Sequence, residues 1–134
     1  MKKMNKKKLL IRIASLILFI FILNLLAMKF YWYFSIWWFD MPMHILGGFW
    51  VGLTLIWFLE PKNLSFNTIV KIILGVLLIG IVWEVFEIIV NKTIIQNPFN
   101  TLDTISDVCF DLAGAFISIF YFIKRIMIKQ HIEI

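Results

Sequence analysis

Four long apolar runs organise the chain: LLIRIASLILFIFILNLLAM at 9–28, MPMHILGGFWVGLTLIWFL at 41–59, IVKIILGVLLIGIVWEVFEIIV at 69–90 and TISDVCFDLAGAFISIFYFI at 104–123. Each is close to the roughly 20 predominantly apolar residues that a helix needs to cross a bilayer. The pattern predicts an all-α integral membrane bundle of four transmembrane helices. The spans form one domain over 9–123, between a basic N-terminal segment, 1–8, and a basic tail, 124–134. No internal repeat or low-complexity segment interrupts them. The lysine-rich head before the first run also fits a cleaved leader, but the run is long for one and ends in no small-x-small site.

Composition supports the bilayer. The chain has 134 residues, 62% of them hydrophobic and only 16% charged. A soluble domain of this size has too little interior to hide that much apolar side chain. The single cysteine, Cys109, excludes an internal disulfide and, with Met41 and Met43, reads as ordinary packing.

The net charge of +5 resembles a nucleic-acid signal, but its distribution does not. The basic residues flank the apolar runs, which is a topology signal, and no nucleic-acid partner is expected. With the N-terminus inside, Lys2, Lys3, Lys6, Lys7, Lys8, Arg12, Lys62, Lys71, Lys124, Arg125 and Lys129 fall on one side, and only Lys29 and Lys92 on the other. Both termini are therefore predicted to be cytoplasmic. Arg12 and Lys71, about a turn inside their spans, can snorkel to the inner interface. The outer connection FYWYFSIWWF at 30–39 holds eight aromatics in ten residues and reads first as an interfacial belt. A sharper reading makes it the rim of a lipid-accessible opening.

Threading the chain through these spans gathers the acids. Of the eight acidic residues, Glu60 and Glu133 lie on the inner side. Asp40, Glu84, Glu87, Asp103, Asp107 and Asp111 all fall in the outer half of the membrane with His44, on three different helices. Asp40 and His44 are four apart, Glu84 and Glu87 three apart, and Asp103, Asp107 and Asp111 four apart, so each set shares a helix face. Asp111, the deepest, is expected about 10–12 Å below the mouth. Gly48 and Gly52 continue the His44 face, Gly80 the Glu84 face and Gly114 the Asp111 face. Small stripes of this kind let membrane helices approach closely, so the acids should face the bundle.

Such a cluster is costly. A charge at the bilayer centre costs at least about 2.5–3.5 kcal/mol on insertion scales. Two carboxylates about 5 Å apart repel by roughly 3 kcal/mol at an effective dielectric near 20. Either some of the acids are protonated or a cation sits among them.

Simpler roles stand beside this one. Asp103 fits a helix cap, and Asp40 a first helical turn with Pro42. A lone His44 would be a satisfied core histidine. Asn24 fits packing or an accessory donor role, and His131 lies in the tail. Asn91-Lys92-Thr93 matches a glycosylation sequon of the kind that occurs by chance. For Asp107, Asp111, Glu84 and Glu87, inside spans, the simplest alternative is hydrogen bonding between helices by protonated acids.

The pieces D-M-P-M-H at 40–44, E-V-F-E at 84–87 and D-T-I-S-D-V-C-F-D-L-A-G-A at 103–115 resemble the VanZ-like and YjdF-like families of small bacterial polytopic membrane proteins. The VanZ-like pattern tends to glutamine where this chain has Glu87 and to asparagine near Asp111, so E-x-x-E and D-T-x-x-D are closer to the YjdF-like pattern. The resemblance implies a multi-pass protein of the bacterial cytoplasmic (inner) membrane and cell envelope. For the VanZ-like group it implies an accessory role in glycopeptide resistance.

Three functions fit the residues. The first is a membrane enzyme using a divalent cation, Mg²⁺, Mn²⁺ or Zn²⁺, on a lipid or a lipid-linked cell-envelope substrate. Here His44, Asp40 and Glu84 are the candidate catalytic residues, His44 oriented by Asp40 as ligand or general base. Glu84, Glu87, Asp107, Asp111 and Asp103 are the candidate metal ligands. The second is a non-catalytic cation or proton binding or transport module, although no relay is visible in the inner half of the spans. The third is a structural protein with a packed, protonated acid network. Whether the chain is catalytic stays open, as does its oligomeric state.

Overall fold

The computed structural model describes residues 4–96 and 98–127. Lys2, Lys3, Lys129, His131 and Glu133 lie outside the described residues. The described residues form five α-helices: α1 (Lys6–Lys29), α2 (Trp32–Ser35), α3 (Asp40–Leu59), α4 (Phe66–Val90) and α5 (Thr101–Tyr121). A π-helical turn, Asn91–Ile95, extends α4, and another, Phe122–Met127, extends α5. All but α2 are long and apolar enough to cross a membrane, so the four-span reading holds.

Local chemistry sets the ends. Asn5 caps α1 by accepting from the Lys8 backbone N–H at 3.1 Å. Ser65 caps α4 through the Thr68 N–H at 3.3 Å. Asn100 caps α5, accepting from the N–H groups of Leu102 and Asp103 at 3.2 and 3.4 Å. The cap of the last span is therefore Asn100 rather than Asp103. The helix starts three residues before 104 because an asparagine there already satisfies its free donors. Pro42 sits in the first turn of α3, where its missing N–H costs nothing.

The buried residues repeat every four positions. On α3 the ridge is His44, Gly48, Gly52 and Ile56. On α4 it is Ile72, Val76, Gly80 and Glu84. On α5 it runs Asp107, Asp111, Gly114/Ala115 and Ser118/Ile119. The α3 and α5 ridges meet most intimately. A Cβ on Gly48 would collide with the Asp111 backbone, and one on Gly114 with the backbone of Ile45, Gly48 and Phe49. Gly52 gives the same clearance to Ser118. This is the close approach that small residues permit between membrane helices.

The bundle has two unlike halves. At one end Leu9, Ile13, Leu53, Ile56, Ile72, Ile119 and Phe122 form an apolar core. Trp50 Nε1 ties α3 to α1 by donating to the Ile13 carbonyl at 3.2 Å. Lys6 pairs with Glu60 at this end and lies over the Trp57 ring, 4.7 Å from its centroid. Arg12 stacks on Tyr121 with its guanidinium carbon 5.8 Å from the ring centre. The described basic residues gather at or near this end, save Lys29 and Lys92. The opposite end is where His44, Glu84, Asp107 and Asp111 are buried.

Large apolar side chains cover the outside. Leu18, Phe19 and Phe21 on α1, Leu78 and Val82 on α4 and Phe116 and Phe120 on α5 are all exposed. In water such a surface would drive aggregation; a bilayer covers it. Cys109 belongs to this outer face, being exposed rather than packed between helices. The aromatic connection divides. Trp37 and Trp38 point outward, as an interfacial belt requires, while Phe39 is buried and receives the edges of Trp32 and Tyr33.

Candidate functional site

The polar end is built by extending three ridges by one turn each. His44 begins the buried ridge of α3, Glu84 ends that of α4 and Asp107 begins that of α5. The helical period that buries Ile56, Ile72 and Ile119 at one end therefore buries these polar groups at the other.

His44 is the hub. Its Nδ1 lies 3.2 Å from Asp111 Oδ1. Its Nε2 lies 3.6 Å from Asp40 Oδ2 and 3.7 Å from Asp107 Oδ2. Where Asp111 is the acceptor in this contact, the hydrogen is on Nδ1. Nε2 then faces two carboxylates. A bare lone pair there would meet only negative charge. Nε2 carries a proton, giving an imidazolium among three carboxylates, or accepts a hydrogen bond from a protonated Asp40 or Asp107, or shares a cation with them.

The distances are those of ion pairs and lie close to what a shared cation would need. Ligands about 2.1 Å from a common divalent ion stand roughly 3.0–3.4 Å apart. The two observed separations exceed that by a few tenths of an ångström. One ligand atom from each of Asp40, His44 and Asp107 falls within a common 4.8 Å, and so does one from each of His44, Glu84 and Glu87. His44 belongs to both groups. Together the two groups draw on α3, α4 and α5.

Glu84 supplies a separate sign. It is only 4% exposed, and its Oε1 is buried without a hydrogen-bond partner. A buried carboxylate oxygen left unpaired costs free energy that a bound cation or donor would recover.

The structure sorts the sequence candidates. Asp40, His44, Glu84, Glu87 and Asp107 converge in the two ligand groups. Asp111 is in neither. It holds the far nitrogen of His44, and it fits because Gly80 has no side chain: a Cβ there would stand 2.7 Å from Asp111 Oδ2. The partner that fixes the His44 ring is thus Asp111 on α5 more than Asp40 on its own helix. A carboxylate behind a ligating imidazole orients the ring and raises its basicity. Asp103 is exposed and belongs to neither group. It lines the mouth of a cleft of about 520 Å³ between the end of α4 and the start of α5, whose inner wall includes Glu84, Glu87 and Asp107.

Tyr33 is a member that the sequence reading passed over. Its hydroxyl donates to Asn24 Oδ1 at 2.7 Å, fastening the aromatic connection to α1. Burial, reinforced by the nearby charges of Asp40 and Glu87, pushes the Tyr33 phenol up to about 12, so it stays a protonated donor. The available signal was a polar tip in the aromatic run beside a span that carries Asn24, but Tyr31 offers the same tip. Lys92, Asn91 and Asn100, which also line the cleft, sit in the α4–α5 connection, where helical periodicity gives no guidance.

No protein of curated function and no solved structure matches the chain. A family model described as Predicted membrane protein (DUF2238) matches residues 3–127, and the chain belongs to that family.

Proposed function

We propose that this membrane protein binds a divalent cation in its carboxylate–histidine pocket and acts there on a lipid or a lipid-linked cell-envelope substrate. The observation that carries the proposal is the convergence of Asp40, His44 and Asp107, beside His44, Glu84 and Glu87, each group within 4.8 Å. One imidazole with several carboxylates suits Mn²⁺ or Zn²⁺, and Mg²⁺ where the carboxylates dominate. A cation held there would polarise a phosphoryl or carbonyl oxygen. Asp40 and Asp107 are its ligands beside Nε2 of His44, Asp111 orients the ring, and Glu84 and Glu87 complete the shell or handle protons. Asp103 stands outside it, at the mouth.

The polar end is read as the outer one. The excess of lysine and arginine at the opposite end supports this orientation, with both termini in the cytoplasm, the spans as one domain and the basic ends outside it. The likeness of three motifs to VanZ-like and YjdF-like sequences supports a place in the bacterial inner membrane. An accessory role in glycopeptide resistance remains a narrower reading.

A second reading rests on the three ion-pair contacts of His44. An imidazolium among Asp40, Asp107 and Asp111 could close a packed polar network without any metal.

Titrating purified protein with Mn²⁺ or Zn²⁺ while following thermal unfolding separates the two. The cation reading expects saturable stabilisation, about 2.7 kcal/mol at a hundredfold excess over Kd, lost in Asp107→Asn and Glu84→Gln. Absence of stabilisation by Mg²⁺, Mn²⁺ and Zn²⁺ alike would leave the packed network as the better account.

A further inference from the structure

A cleft opens beside the pocket. One wall descends from the α5 cap along the helix: Asn100 at the mouth, then Thr104, then buried Asp107. The facing wall descends from Lys92 and Asn91 to Glu87 and buried Glu84. Charge and depth are therefore correlated. The floor is carboxylate. The mouth holds an ammonium, two amides and a hydroxyl, with Asp103 alone of the acids at that level.

A cleft with only this floor would repel anions. Once a divalent cation offsets part of that negative charge, the same cleft offers an anion two cationic groups, the ion at the floor and Lys92 at the mouth. Lys92 is also exposed, so its ammonium is free to swing over the opening. Glu84, nine-tenths buried with an unpartnered Oε1, lines the cleft and marks its floor as the place where a cation belongs.

We propose that the cleft takes a phosphate group, its oxygens reaching the floor cation while Lys92 holds them at the mouth. This rests on the cation reading given above. The ligand chemistry is a phosphate mono- or diester, whether free or at the head of a lipid. The volume of about 520 Å³ accommodates a headgroup of that size.

Phosphate binding must then depend on the metal. The test measures inorganic phosphate binding to the purified full chain by calorimetry, with and without saturating Mn²⁺. A parallel arm measures co-flotation of the protein in detergent-free nanodiscs with phosphatidylcholine vesicles, with and without phosphatidic acid. The expected result is phosphate binding only with Mn²⁺, weakened about tenfold or more by Lys92→Glu, the loss of a charge-assisted contact. Mn²⁺ affinity should stay unchanged in that variant. Lys29→Glu, which removes the other cation of this end away from the cleft, should bind phosphate as the parent does. Co-flotation that requires both phosphatidic acid and Mn²⁺ assigns the phosphate to a lipid; Mn²⁺-dependent inorganic phosphate binding alone assigns it to a soluble ligand. Equal phosphate affinity with and without Mn²⁺, or equal losses in Lys92→Glu and Lys29→Glu, overturns the inference. Mn²⁺ binding without phosphate binding defeats this inference and leaves the cation reading standing, whereas failure to bind Mn²⁺ defeats both.

Discussion

Gly48→Ala and Gly114→Ala are each expected to destabilise the bundle by roughly 3 kcal/mol or more, at or beyond the upper end for an overpacked core. The reason lies in what the new methyl would strike. At Gly48 it meets the Asp111 backbone, and at Gly114 the backbone of three α3 residues, so no rotamer change can relieve the clash. The two helices would have to part, and the contact between His44 and Asp111 would part with them. Gly47 is the control. A Cβ there meets nothing within 4 Å, so Gly47→Ala should be neutral or add about 0.5–1 kcal/mol from helix propensity. Reversible unfolding in mixed micelles, compared across the three variants, reads the difference. Equal responses at positions 47 and 48 would contradict the packing described.

His44→Ala should produce the other large effect. His44 reaches Asp40, Asp107 and Asp111 from within the protein, and the last two are buried. Removing it strands those carboxylates, and breaking a buried charge pair from one side costs roughly 3–5 kcal/mol. Adding Asp111→Asn to His44→Ala should cost little more, because the two substitutions remove one shared interaction and are not additive. In the metal-free state the same unfolding assay measures the loss. Parent-like stability of His44→Ala would show that the contacts carry no coupling.

Much of this site was legible because helical spacing converts sequence separation into a face. Asp40 with His44, Glu84 with Glu87 and Asp107 with Asp111 could be paired without coordinates, and the topology brought the three helices' polar ends together. The glycines were legible for the same reason, since Gly48, Gly80 and Gly114 each continue a polar stripe. What a face does not state is which group stands opposite it. Periodicity therefore could not show that Asp111, rather than Asp40, makes the closest contact with His44. It also could not show that Asp103 stays outside while Asp107, one turn on, goes in. The connection was the least readable part. Asn100 took the cap because a side chain just before the helix can reach its first amides, and Lys92 and Asn91 reached the cleft through a π-helical turn that no repeat announces. Tyr33 was hidden among eight aromatics that share one interfacial signal, although only some of them point outward.

In the proposed site, Nε2 of His44 and the surrounding carboxylates hold a divalent cation. X-ray absorption at the zinc edge on protein loaded with one equivalent of Zn²⁺ tests it most directly. The expected spectrum shows a single imidazole nitrogen at about 2.0–2.1 Å with carboxylate oxygens in the remaining positions. In His44→Gln the imidazole signature is expected to disappear while the variant stays folded. A spectrum with oxygen ligands alone in the parent, or one unchanged by His44→Gln, would contradict this ligation.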